Sequence, residues 1–136
     1  MADYDFYELY KADWQYIEGV VDAGFYYGPD RDTTGLPDAP TNGVKIRFGS
    51  ATTREATALQ VNYEPTDRLI TCWADRLRLT PSDGTSQKII PMLGDYFFYN
   101  NANYIIASVQ TVEYETQYVC YCKLQGSRNL NSVLGV

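Results

Sequence analysis

Few residues in this 136-residue chain have the type and spacing to do chemistry. There is no histidine, which removes the commonest general base, the Ser–His and Cys–His nucleophile pairs, and imidazole metal sites. Glu113 and Glu115 could in principle work as a carboxylate pair, as in glycosidases. They share a strand face, however, and fall in a surface turn, where acids are ordinarily just solvated. Asp30-Arg31-Asp32 faintly suggests a calcium loop, but regular acidic spacing and a distal bidentate glutamate are missing. Cys120 and Cys122 lie on one strand face, too awkward for a mutual disulfide and too few for zinc. With Cys72 they read as buried thiols in a reducing compartment. Neither a dinucleotide fingerprint nor a phosphate loop is present, and no Cys-x-x-Cys pair. Arg54, Arg68, Arg76 and Arg78 form a modest basic scatter that pairs either across an interface or with neighbouring acids. The reading is a protein without catalytic residues, metal or cofactor, whose work is binding or building.

The elements that would position these residues are mostly strands. The clearest stretch is Gly94 to Leu124. Tyr96, Phe97, Phe98 and Tyr99 make a first run, and Asn100, Asn101 and Asn103 cluster where a hairpin must reverse. A second run puts Ile105, Ala107 and Val109 on one face and Tyr104, Ser108 and Gln110 on the other. A third puts Tyr118, Cys120, Cys122 and Leu124 against Gln117, Val119, Tyr121 and Lys123. This is an antiparallel meander.

Upstream, residues 1–27 carry an aromatic stripe over Phe6, Tyr10 and Trp14 that suits a short helix or an arm, followed by a strand from about Ile17. Residues 28–43 hold three prolines and three glycines and read as a long loop. Val44–Phe48 alternates as a strand, Gly49–Glu55 is polar and reads as a loop, and Ala58–Tyr63 suggests another strand. Pro65 presets a type I turn. Residues 66–79 can be written as helix or strand, and Ile70-Thr71-Cys72-Trp73 favours strand. Asp83-Gly84 marks a reversal, and Pro91 confines Lys88–Leu93 to a sheet edge or a lead-in segment. The count is six to eight short strands, which predicts an all-β fold: a small antiparallel β-barrel or sandwich with a short N-terminal helix or arm and long loops. The division expected is an arm over residues 1–24, a barrel over 25–125 and a tail over 126–136.

Net charge is −6, and an acidic surface repels phosphate backbones and anionic lipids. Met1 is followed by Ala-Asp-Tyr-Asp without an apolar run, and no stretch approaches the roughly 20 apolar residues that span a bilayer. The chain is therefore expected to be made in the cytoplasm without a membrane partner. Thirteen tyrosines suit sheet faces and protein contacts alike.

The run from Gly94 to Leu124 resembles the C-terminal strands of head–tail joining proteins of tailed bacteriophages, the stopper or head-closure class. The matching features are Gly94-Asp95, the Asn100–Asn103 turn, Tyr104 to Val109, the acidic Glu113–Glu115 turn and Tyr118 to Leu124. The resemblance implies a structural virion protein, assembled in the host cytoplasm as a homo-oligomeric ring between portal–adaptor and tail. Packaged DNA would pass nearby without tight binding and be retained with its help. On that reading the subunit interface would fall on Tyr4, Phe6, Tyr7, Tyr10, Trp14, Leu130, Val133 and Leu134. The channel or inter-ring loops would carry Asp30, Arg31, Asp32, Thr33, Arg54 and Glu55. The alternatives are a tail terminator or tube subunit, or, from another class, a small β-barrel module binding carbohydrate.

Overall fold

The computed structural model describes residues 19–74, 78–112 and 117–125, without the side chain of Val112. Six antiparallel strands close into a barrel in the order β1-β2-β3-β6-β5-β4. They are β1 (Val20–Tyr26), β2 (Val44–Ser50), β3 (Arg68–Trp73), β4 (Tyr96–Tyr99), β5 (Ala102–Val112) and β6 (Gln117–Leu124). A single turn-and-a-half helix, α1 (Thr53–Ala58), joins β2 to β3. The barrel's first strand thus begins at Val20, ahead of residue 25, while the expected start near Ile17 lies outside the described residues.

Alternation fills the interior. Val44 and Ile46 of β2, Ile70 and Cys72 of β3, and Tyr118, Cys120 and Cys122 of β6 are all fully buried in one apolar cluster. The register stacks them across strands, Ile46 opposite Cys72 and Ile70 opposite Cys120. All three cysteines are free thiols. Each buried apolar side chain of this size contributes roughly 1.5–3 kcal/mol. Lys45 and Arg47 take the wet face of β2, and Lys45 meets Asp22 of β1 at 3.1 Å, a surface pair of small worth.

Aromatic and aliphatic plugs close both ends. Phe48 packs against Tyr99 and Tyr104, with ring centroids 4.9 and 5.0 Å away. At the end where β2 begins, Leu79 and Ile89 are fully buried and joined by a backbone bond of 3.1 Å. The lumen is a core, with no open bore along it among the described residues.

Three expectations fail here. Residues 58–63 are not a strand: α1 ends at Ala58, and residues 61–64 carry no regular structure. Thr52 and Glu55 form a capping box, the Thr52 side chain accepting from the Glu55 amide while the Glu55 carboxylate accepts from the Thr52 amide. The supposed Gly49–Glu55 loop therefore starts a helix. The face assignment on β5 also changes. A bulge between Ile106 and Ser108 shifts the register, so Ile106 and Val109 face the core while Ile105 and Ala107 lie on the outer side. The sequence alternation assumed an unbroken period of two.

Within residues 66–79, Arg68–Trp73 form the strand β3, as the run Ile70-Thr71-Cys72-Trp73 suggests, and Ala74 bridges to Leu79. The Asn cluster is a two-residue hairpin loop, with Asn100 at φ 53° and Asn101 at φ 63° between paired Tyr99 and Ala102. A β-branched residue is strained there by about 1–2 kcal/mol. Asn101→Val is thus expected to lower the urea midpoint by that equivalent, whereas Asn101→Gly raises it slightly. Equal midpoints for the two variants would contradict the turn geometry.

Candidate functional site

Two aspartates, Asp67 and Asp95, are wholly buried, and each sits one residue before a strand. Burying a carboxylate is costly unless every oxygen finds a donor. Both find several.

Asp95 fastens the long loop after β1 to the barrel. Its Oδ1 accepts from the Gly28 amide at 2.8 Å, and its Oδ2 accepts from the Met92 amide at 3.0 Å and pairs with Arg31. The Arg31 guanidinium also donates to the Ile90 carbonyl at 3.0 Å and lies 5.0 Å from the centre of the Tyr27 ring. Burial raises the Tyr27 phenol's pKa, with Arg31 opposing that shift. The Tyr27 hydroxyl donates to the Pro37 carbonyl at 2.6 Å, holding the far side of the loop. The Asp95 backbone meanwhile accepts from Ile106 of β5 at 2.8 Å. Gly28 is required by this closeness: a Cβ there would lie 2.5 Å from the Gly94 carbonyl oxygen.

Asp67 does the same for the α1 connection. It accepts from the Tyr121 hydroxyl at 2.5 Å, from the Glu64 amide at 2.9 Å and from Lys123, whose nitrogen is 3.0 and 3.2 Å from its two oxygens. Lys123 also donates to the Asn62 carbonyl at 2.5 Å. Tyr121 and Lys123 project from the outer face of β6, where Tyr121 packs beneath Ala51 and Ala56 as a second small core. Arg68 donates to the carbonyls of Pro65 and Asp67 in its own turn, and its guanidinium lies 5.9 Å from the centre of the Phe48 ring.

The loop held by Asp95 borders a groove of about 830 Å³ over the outer faces of β4 and β5. Tyr96 and Ile105, paired across the two strands, lie in it between Leu36 on the loop and Met92 and Leu93 on the turn before β4. Tyr96 stacks on Tyr26 with centroids 5.1 Å apart, and Asn103 donates to Gln125 at 2.7 Å. Asp30, Arg31 and Asp32 also line it. Asp32 accepts from the Thr34 amide at 3.0 Å, and that bond holds its carboxyl below the ordinary aspartate range.

The residues expected at a channel or inter-ring contact are not brought together. Asp30–Thr33 lie on the β1–β2 connection and Arg54 and Glu55 on the β2–β3 connection, which an antiparallel barrel puts at opposite ends. Arg31 is an internal brace, and Arg54 and Glu55 belong to α1, with Glu55 committed to its cap. Tyr4, Phe6, Tyr7, Tyr10, Trp14, Leu130, Val133 and Leu134, like Glu113, Glu115 and Arg76, lie outside the described residues. Among the described residues no group of three His, Cys, Asp or Glu side chains is placed to hold a metal ion. Sequence reasoning missed both buried aspartates and Lys123. The available signals were Glu-Pro-Thr-Asp and Gly-Asp placed directly ahead of strands, and a lysine directly after the run Tyr118–Cys122.

Removing the cation from a buried pair costs about 3–5 kcal/mol. Lys123→Met should therefore destabilise strongly in urea titrations, and adding Asp67→Asn should restore more than about 1 kcal/mol of that loss. Strictly additive losses would show that the pair is not coupled.

Alkaline pH gives a second test. Burial, then the bond to Asp67, raises the Tyr121 pKa far above that of a free phenol. Burial does the same for the Cys122 thiol, and the hydrogen bond to Cys72 followed by burial does so for Cys120. The native state keeps these protons after the unfolded chain has released them. Their stabilisation is whole below the ordinary thiol and phenol values and is lost as pH rises beyond them. The urea midpoint should fall progressively above about pH 9, and less steeply in Tyr121→Phe; a midpoint constant to pH 11 would refute this.

No family model, no curated protein and no solved structure matches this chain.

Proposed function

We propose that the chain is a structural subunit of a tailed-phage neck, forming a ring that joins the DNA-filled head to the tail and helps retain the genome. One observation carries this reading. The stretch that resembles the head-closure proteins folds as successive barrel strands, with Gly94-Asp95 ahead of β4, the reversal at Asn100-Asn101, Tyr104–Val109 within β5 and Tyr118–Leu124 within β6. Three further features are in keeping with it. The barrel is filled, so activity resides on its outside and its loops. The long β1–β2 loop is braced by Arg31 and Asp95, which suits a contact that must bear load. The acidic balance of −6 keeps phosphate contacts weak where DNA must slide.

A carbohydrate-binding module has less support. Sugars need open ring faces lining one site, whereas Tyr26 and Tyr96 cover one face of each other and the exposed Tyr63 and Phe98 sit on separate elements away from the groove lining.

Light scattering decides between them. Mixed with a portal–adaptor preparation from a phage encoding this chain, the protein should add as a ring of several copies, even if it is monomeric alone. Failure to bind the portal–adaptor or a tail preparation, together with saturable binding on a glycan array, would overturn the proposal. Portal, capsid and tail genes beside its own would be the matching genomic result.

A further inference from the structure

The groove over β4 and β5 combines a cluster of apolar side chains with polar ones, and carries exposed carboxylates. Met92 is 51% exposed and Leu93 69%, large values for side chains of this size, and both line the groove with Leu36, Tyr96 and Ile105. Contiguous exposed apolar surface bordered by polar residues marks a contact site. A methionine beside it gives a surface that can adapt to its ligand. A volume of about 830 Å³ accommodates several side chains.

Charge narrows the occupant. Arg31 is the sole cation among the described lining residues, and Asp95 already neutralises it. Asp30 and Asp32 are exposed and have no cationic partner in an ion pair among the described residues. Among the described residues the groove therefore presents two carboxylates without a cationic partner beside exposed apolar side chains, on a chain whose net charge is −6. A ligand with bulky apolar groups and adjacent positive charge matches both properties; an acidic one is repelled. Beneath the groove β4 pairs with β1 and β5, and β5 pairs with β6, so the backbone there is occupied and side chains must carry recognition.

We propose that this groove docks an extended segment of a partner protein in which Leu-, Met- or aromatic-type residues are flanked by lysine or arginine. The proposal stands whether or not the chain belongs to a phage neck.

The probe is a random dodecapeptide library displayed on yeast, selected against the intact protein. Enriched peptides should combine apolar residues with neighbouring Lys or Arg. Titrated into ¹⁵N-labelled protein, a selected peptide should shift the amides of Leu93, Asn103, Ile105 and Gln125. Leu93→Ser and the double variant Asp30→Asn/Asp32→Asn lie on exposed positions that leave the fold intact. Each should weaken binding about 3- to 10-fold, the second one less so at high salt. Enrichment of acidic peptides, shifts confined to another face, or no enriched peptide would overturn the proposal. So would groove signals that change with protein concentration, or on truncation after Gln125, without added peptide, since a second copy or the chain's own end would then be the occupant.

Discussion

The pairing of β1 with β4 is the constraint on which the molecule rests. Three registered pairs, Gly24 with Phe98, Phe25 with Phe97 and Tyr26 with Tyr96, close a sheet that would otherwise have two open edges. Unpaired edges expose amides and carbonyls that invite aggregation, and closure removes them. The seam is short, so side chains reinforce it. Phe25 meets Phe97 inside with centroids 5.5 Å apart, and Tyr26 stacks on Tyr96 outside. Asp95 lies immediately beyond the seam and reaches back to the Gly28 amide, extending the β1–β4 contact after the ladder has ended.

Seen this way, the two buried aspartates solve one problem twice. An antiparallel barrel with long connections must fix those connections without threading them through its core. A carboxylate placed just before a strand can gather amide donors from a turn and a cation from elsewhere in the chain. Asp95 recruits Arg31 from 64 residues away, and Asp67 recruits Lys123 from 56 residues away. Such pairs give little net stability over a well-packed apolar alternative, but breaking one is costly. Their effect is to specify where each loop sits, and hence the shape of the groove that the β1–β2 loop borders.

A protein built in this way offers rigid outer surfaces and a filled interior. The interior thiols and the Tyr121 hydroxyl are committed to packing and to internal hydrogen bonds. What remains available to a partner is the outer face, with its exposed Met92 and Leu93 and the carboxylates of Asp30 and Asp32.

Local rules were enough for much of the wall. Period-two alternation in β2 and β6 separated their two faces, because a buried strand face leaves no choice of register. Asn100 and Asn101 marked their own turn through their tolerance of positive φ. Pro65 marked another, seen in the Asp67 amide bonding the Glu64 carbonyl at 2.9 Å. The capping box at Thr52 and Glu55 is equally local, but in so short and polar a segment the same residues also suit a loop. The rest depended on residues far apart in sequence. The β5 bulge inverts the face of Ile105 only because β6 fixes the opposite partner. Nothing near Asp95 or Lys123 in the sequence announces that Arg31 and Asp67 will neutralise them, because an ion pair across more than 50 residues is set by how strands stack. The chain alone thus determined where most of the barrel strands and the Asn100-Asn101 turn lie, which are nearest-neighbour properties. Tertiary structure decided the barrel's closure, the two carboxylate braces and the groove, since each requires segments that meet only once the sheet has curled on itself.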